Sequence, residues 1–223
     1  MFCGKDESHG RMNKEHFVPK ALWDGERPAL TRTVDAHIEC NDHFKADNEY
    51  FRDVLAINVG PDAHPEVSRL LQGKLARKRA IQPTWLSRTL QEHRIEESFT
   101  RSGLYVGPQA YFEVDAVKVD RVLLNVAKGV FHSVSKQPLD VSGRISIIHD
   151  DAKVPEEIDA YITGRIEKMC PWQGFGDDVF ACRYQLATNP SAIRCLLQFY
   201  RTRLFYVEVQ PSEESMSARE SAG

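Results

Sequence analysis

Between Val119 and Val130 the chain repeats apolar residues at three- and four-residue steps: Val119, Val122, Leu123, Val126, Ala127 and Val130. That spacing places all six on one stripe of an α-helix, and such a stripe must be buried against something. The cover has to come from the chain's other apolar segments, which read as strands. Arg144 to His149 is a short one. Asp178 to Ala187 and Ile193 to Val209 are longer, and Leu196, Leu197, Phe199, Tyr200, Leu204, Phe205 and Tyr206 make the second dense in β-formers. These residues are expected in a core rather than as a stacking platform for bases. Helix on antiparallel strands is an α+β arrangement.

The remaining segments are more polar. Ile95 to Thr100 and Tyr111 to Val117 alternate as strands do, and the segment between them holds Gly103, Gly107 and Pro108, which reads as turns. Glu66 to about Ala80 reads as a helix, with Val67, Leu70, Leu71 and Leu75 on one side and basic residues on the other. A second short helix is expected after Pro83, with Trp85, Leu86 and Leu90 as its stripe, and a further one over Glu156 to Met169. Asn58 to Pro65 carries one glycine and two prolines and reads as a linker. Boundaries are therefore expected after residue 58 and near 93, with a helical region over 59–93, an α+β domain over 94–210 and a disordered tail over 211–223.

The 223 residues carry a net charge of −3, which is not the basic balance common in nucleic-acid binders. Any phosphate contact must come from a local patch. Lys74, Arg77, Lys78 and Arg79 form the clearest one, and its plainer reading is a solvated helix face. No apolar run approaches the roughly 20 residues that span a bilayer, and no signal peptide is recognisable, so no membrane contact and a cytoplasmic location are expected. Five cysteines without framework spacing fit a reducing compartment, with Cys182 and Cys195 as buried thiols. His64 and His93 lie in polar stretches and are expected to be solvated.

The N-terminal quarter holds the chemistry. Cys3-Gly4 is followed by Glu15-His16-Phe17-Val18-Pro19-Lys20, then by His37-Ile38-Glu39-Cys40-Asn41 leading into a helix with Phe44, Phe51, Val54 and Leu55 on one face. Hydrolysing a phosphodiester needs a base for water and a divalent cation at the phosphate. A histidine, a carboxylate and an amide oxygen are suitable parts.

This order of parts resembles the HNH endonucleases, in a subgroup whose zinc-ribbon form runs roughly Cys-x-x-Cys, Glu-His, Cys-x-x-Cys-Asn. Lys128-Gly129-Val130-Phe131 resembles a segment found downstream in the same subgroup. The resemblance implies a ββα-metal finger over 1–58, followed by a mixed α+β C-terminal domain with antiparallel strands. It makes His16 the general base and gives Glu15 and Asn41 to a catalytic Mg²⁺ or Mn²⁺. Cys3, His37 and Cys40 would be ligands of a structural Zn²⁺ whose fourth ligand is missing, is His9 or lies upstream, or else small buried residues holding no metal. The family's middle asparagine is absent from the second strand, where Asp35 is the substitute at hand. His43 and Lys45, in the first turns of the helix, could reach metal or phosphate, and Lys45, Lys74, Arg77, Lys78 and Arg79 would contact the backbone of DNA, or of RNA. Cutting both strands would call for a homodimer. The alternative is a non-catalytic nucleic-acid-binding protein on a decayed HNH scaffold.

Overall fold

The computed structural model describes residues 10–25, 33–86, 94–100, 102–150, 152–186 and 192–212. The fold is α+β with antiparallel sheets. Strands β1 (Met12–His16) and β2 (Thr33–His37) form a ribbon in which Glu15 faces Val34 and Lys14 faces Asp35. The long helix α1 (Ile38–Val59) starts directly from β2. Its end is set by Gly60, whose φ of 76° suits a residue without Cβ and whose N–H donates to Ala56 O.

Helix α2 (Pro65–Leu70), a π turn (Leu71–Leu75) and α3 (Ala76–Ile81) then run on as one rod, close to the helix expected over this segment. Trp85 and Leu86 are helical, while Leu90 and His93 lie outside the described residues. His64, expected to be solvated, is instead buried. Its Nδ1 accepts the Glu66 N–H and caps α2, so Nε2 carries the proton and donates to Asp177 O at 3.1 Å.

Strands β3 (Arg94–Phe99) and β4 (Tyr105–Tyr111) form a two-stranded ribbon. The second strand is thus Tyr105–Tyr111, not Tyr111–Val117, and it includes Gly107 and Pro108. A ribbon has free edges, and an edge tolerates the missing N–H of a proline.

Helix α4 (Ala116–Ser135) carries the apolar stripe, capped by the Asp115 side chain on Lys118 N. Val119, Val122, Leu123, Val126, Ala127 and Val130 are all buried, each of the larger ones gaining about 1.5–3 kcal/mol on leaving water. Their cover is α1 first, then β2 and the five-stranded sheet β5-β9-β8-β7-β6: β5 (Ile145–His149), β6 (Gln173–Phe175), β7 (Phe180–Leu186), β8 (Ile193–Phe199) and β9 (Arg203–Val209). The strands expected as cover thus supply only part of it. Strand β6 is too short to show in the sequence. Helix α5 (Glu156–Ile166), three residues shorter than expected, packs with Met169 on the other face against Leu196 and Tyr206. There the buried Glu208 accepts from Arg194 Nε at 2.7 Å, Tyr206 Oη at 3.0 Å and Gln210 Nε2 at 2.8 Å, which compensates its charge. Cys182 and Cys195 are buried as expected, and burial pushes the Cys195 thiol well up from its ordinary range.

One core runs through both ends of the chain, joining Phe17, Leu22, Phe51, Val67, Leu123 and Phe199. Two contacts weld the N-terminal hairpin to the rest. Gly129 of α4 lies so close to Phe17 that a Cβ there would fall 1.9 Å from the Phe17 Cβ. Tyr200, in the β8–β9 turn at φ 49°, is fully buried, and its hydroxyl donates to Leu22 O at 2.8 Å. A positive φ is unfavourable for so large a side chain, and burial plus this bond offset the strain. Tyr200→Phe is expected to cost about 1–3 kcal/mol, because the Leu22 carbonyl loses its donor inside the core. Urea unfolding monitored by tryptophan fluorescence would measure it.

Candidate active site

Strand β1 and helix α1 meet at the open end of the hairpin. Glu15 is on β1, and Asn41 stands in the first turn of α1. The Asn41 Nδ2 donates to Glu15 Oε2 at 2.6 Å, both side chains half-buried. They border a cleft of about 350 Å³ whose other walls are Lys20, Ala21, Asp42, Lys45, Asn48, Glu49, Arg52 and Lys74. Residues 41, 45, 48 and 52 are spaced as one face of α1, which is why a single helix supplies so much of the wall. Lys20 comes from the 3-10 turn Lys20–Leu22 after Pro19. Lys74 comes from the π turn.

The four cations in this cleft arrive by different routes. Lys20 and Lys45 are exposed. Arg52 is buried and held by Asp53, which accepts from its Nε at 2.7 Å and Nη2 at 2.5 Å. Asp53 also takes Lys78 Nζ at 2.5 Å and Trp85 Nε1 at 3.0 Å. Lys74 is half-buried, and its ammonium donates to Trp23 O. Loss of hydration pulls its pKa below the ordinary lysine value, with Arg52 and Arg77 adding to that and Asp24 and Glu66 opposing it.

The structure thus brings Glu15, Asn41, Lys45 and Lys74 together and separates the rest of the basic patch. Lys78 is tied inward to Asp53. Arg77 lies 3.7 Å from Asp24. Arg79 borders a different, apolar hollow with Leu75 and Trp85. His16, adjacent to Glu15 on the strand, is half-buried, its Nδ1 is shielded from solvent, and it does not border the cleft. Successive strand residues point to opposite sides, and that accounts for the separation. His43 is exposed and likewise outside the cleft. Asp35 pairs with Lys14 at 2.7 Å on the outer face of the ribbon, with both side chains largely in water, so it takes no part in the site.

A catalytic divalent ion can be tested against the donors. Glu15 and Asn41 supply a carboxylate and an amide in direct contact, and turning the amide over would present Oδ1 where Nδ2 now stands. Two adjacent hard oxygens suit Mg²⁺ or Mn²⁺, which keep several waters and take the rest of their shell from a substrate phosphate. Among the described residues, no group of three or more His, Cys, Asp or Glu is placed to hold a metal. For the expected zinc site, His37 is buried at the N-cap of α1 and Cys40 half-buried one turn on, while Cys3 and His9 lie outside the described residues.

Lys20, Arg52, Asp42, Asn48 and Glu49 were not expected at the site. Lys20 follows the motif directly, and Asn48 and Arg52 continue the helical spacing of Asn41 and Lys45, so the signal was in the sequence. Elsewhere, His149 Nε2 meets Asp120 Oδ1 at 2.9 Å, and His149 borders a separate hollow at the far end of α1. Among the described residues no helix is long and apolar enough to cross a membrane. Compared with known proteins, the chain matches no family model, no curated protein and no solved structure.

Proposed function

We propose that this chain is a metal-dependent endonuclease of the HNH kind, hydrolysing phosphodiester bonds in nucleic acid, DNA before RNA, in the cytoplasm. The observation that carries this reading is the Glu15–Asn41 contact across strand and helix, at the wall of a cleft that Lys20, Lys45, Arg52 and Lys74 make attractive to phosphate. Glu15 and Asn41 would hold Mg²⁺ or Mn²⁺, which when bound offsets the charge on the phosphate and the departing oxygen. Lys45 and Lys20, exposed on either side, draw the phosphate backbone in. His16 takes the proton from the attacking water. Since the side chain does not border the cleft in this state, its ring has to turn toward the phosphate when substrate enters. A structural Zn²⁺ on Cys3, His37 and Cys40 belongs to the same proposal, as does pairing of two copies where both strands are cut.

The second reading, nucleic-acid binding without cleavage, is favoured by the position of His16 away from the cleft. A supercoiled-plasmid assay in Mg²⁺ or Mn²⁺, with EDTA as blank, separates the two. Nicking by wild type that falls by about 100-fold or more in His16→Ala is the expected result. Intact plasmid and intact RNA under every condition would leave the binding reading in its place.

A further inference from the structure

The helical rod after α1 lies outside the hairpin and helix that make up the finger, yet it puts one side chain into the cleft. We infer that Lys74 is a phosphate ligand of the Glu15–Asn41 cleft, contacting a non-bridging oxygen of a nucleic-acid backbone from beyond the finger. The inference rests on the nucleic-acid reading of that cleft.

Three observations carry it. Lys74 sits in a π turn, and π turns inside α-helices are frequent at functional sites. The turn is fastened to the finger: Asp24 Oδ1 accepts the Lys74 N–H at 3.1 Å, and Gly73 passes so near that a Cβ would stand 2.3 Å from Asp24 Oδ2. The backbone of Lys74 is therefore placed by the finger's own loop, whatever its side chain does. Finally, the charge of Lys74 is left open where its neighbours' charges are closed. Lys78 is matched by Asp53 and Arg77 by Asp24, whereas the Lys74 ammonium meets only a carbonyl, Trp23 O, and no carboxylate pairs with it among the described residues. Asp24 and Glu66 act on this charge without forming an ion pair with it, and the loss of hydration outweighs them, which is costly in the free protein. An anion entering the cleft supplies the missing partner, and two N–H donors remain to meet it.

The test is equilibrium binding of a short fluorescein-labelled DNA duplex in EDTA across a salt series, for wild type, Lys74→Gln, Lys74→Arg and Lys14→Gln. Glutamine can keep the bond to Trp23 O while removing the charge, and Lys14 is the exposed control. Lys74→Gln is expected to flatten the slope of log K against log salt by about 0.9, the release of one counter-ion, equally on duplexes of different sequence. Lys74→Arg should restore the slope, and Lys14→Gln should leave it at the wild-type value. An unchanged slope in Lys74→Gln overturns the inference, as does an equal flattening in Lys74→Arg, which would mark a structural role. If wild type binds no duplex, the nucleic-acid reading fails and takes this inference with it. If wild type binds and only the slope is indifferent to Lys74, the inference fails alone.

Discussion

Asp53→Ala is expected to lower the free energy of unfolding by about 3–5 kcal/mol. Asp53 is 1% exposed and receives four donated bonds, from Arg52 Nε and Nη2, Lys78 Nζ and Trp85 Nε1. Removing the carboxylate leaves a buried guanidinium and a partly buried ammonium facing each other with no anion between them. The damage reaches the cleft, because Arg52 is one of its walls and Lys78 holds α3 to α1. The matching control is Asp35→Ala, which breaks an exposed pair with Lys14 and should cost less than about 1 kcal/mol. Urea titration of both variants is the measurement. An Asp53→Ala loss no larger than that of Asp35→Ala would show that the buried charges find other partners.

Gly129→Leu should be worse than any conservative core change, costing more than about 3 kcal/mol and leaving little folded protein at 37 °C. Even the Cβ of alanine would overlap the Phe17 Cβ and lie 2.4 Å from its Cγ. Neither partner can retreat easily, since Phe17 is buried in the shared core and Gly129 is inside α4. Phe17 follows His16, so relaxation around a milder Gly129→Ala change would shift the proposed base along with it. Gly164→Ala is the counterpart. That glycine is also helical, nothing lies within 4 Å of its added Cβ, and the substitution should stabilise by up to about 1 kcal/mol. Thermal unfolding of the two alanine variants should therefore move in opposite directions.

What the sequence disclosed was governed by short-range patterns. The α4 stripe, the apolar strand segments over 178–187 and 193–209 and the rod over 65–81 follow from periodicity and composition alone, while the turn that divides the second segment into β8 and β9 does not. Glu15 and Asn41 were legible through the spacing of a motif. Pairings between distant segments were not. Nothing near Gly129 announces Phe17, and nothing in Arg77 or Lys78 says that their charges are met by Asp24 and Asp53, so four clustered cations looked like one surface patch. His64 misled for a related reason: its flanking residues are polar, while the groups that bury it, Tyr200 and Asp177, are far along the chain. The β4 segment misled through Gly107 and Pro108, which are punctuation in most contexts and permissible on a ribbon's edge.

The bond between Tyr200 and Leu22 spans 178 positions, and that separation bears on when the protein can first act. Ribosomes release a chain from its N-terminus at about 5–20 residues per second. The segment from Met12 to Asn41 therefore emerges early, but the tyrosine that holds its 3-10 turn follows roughly 10 to 35 s later. Until then Leu22 has no β8–β9 turn to settle against. On the proposed reading the chain hydrolyses nucleic acid, a hazard to the messenger and chromosome beside it, and completing the site only after residue 200 would keep a half-made copy inert during synthesis.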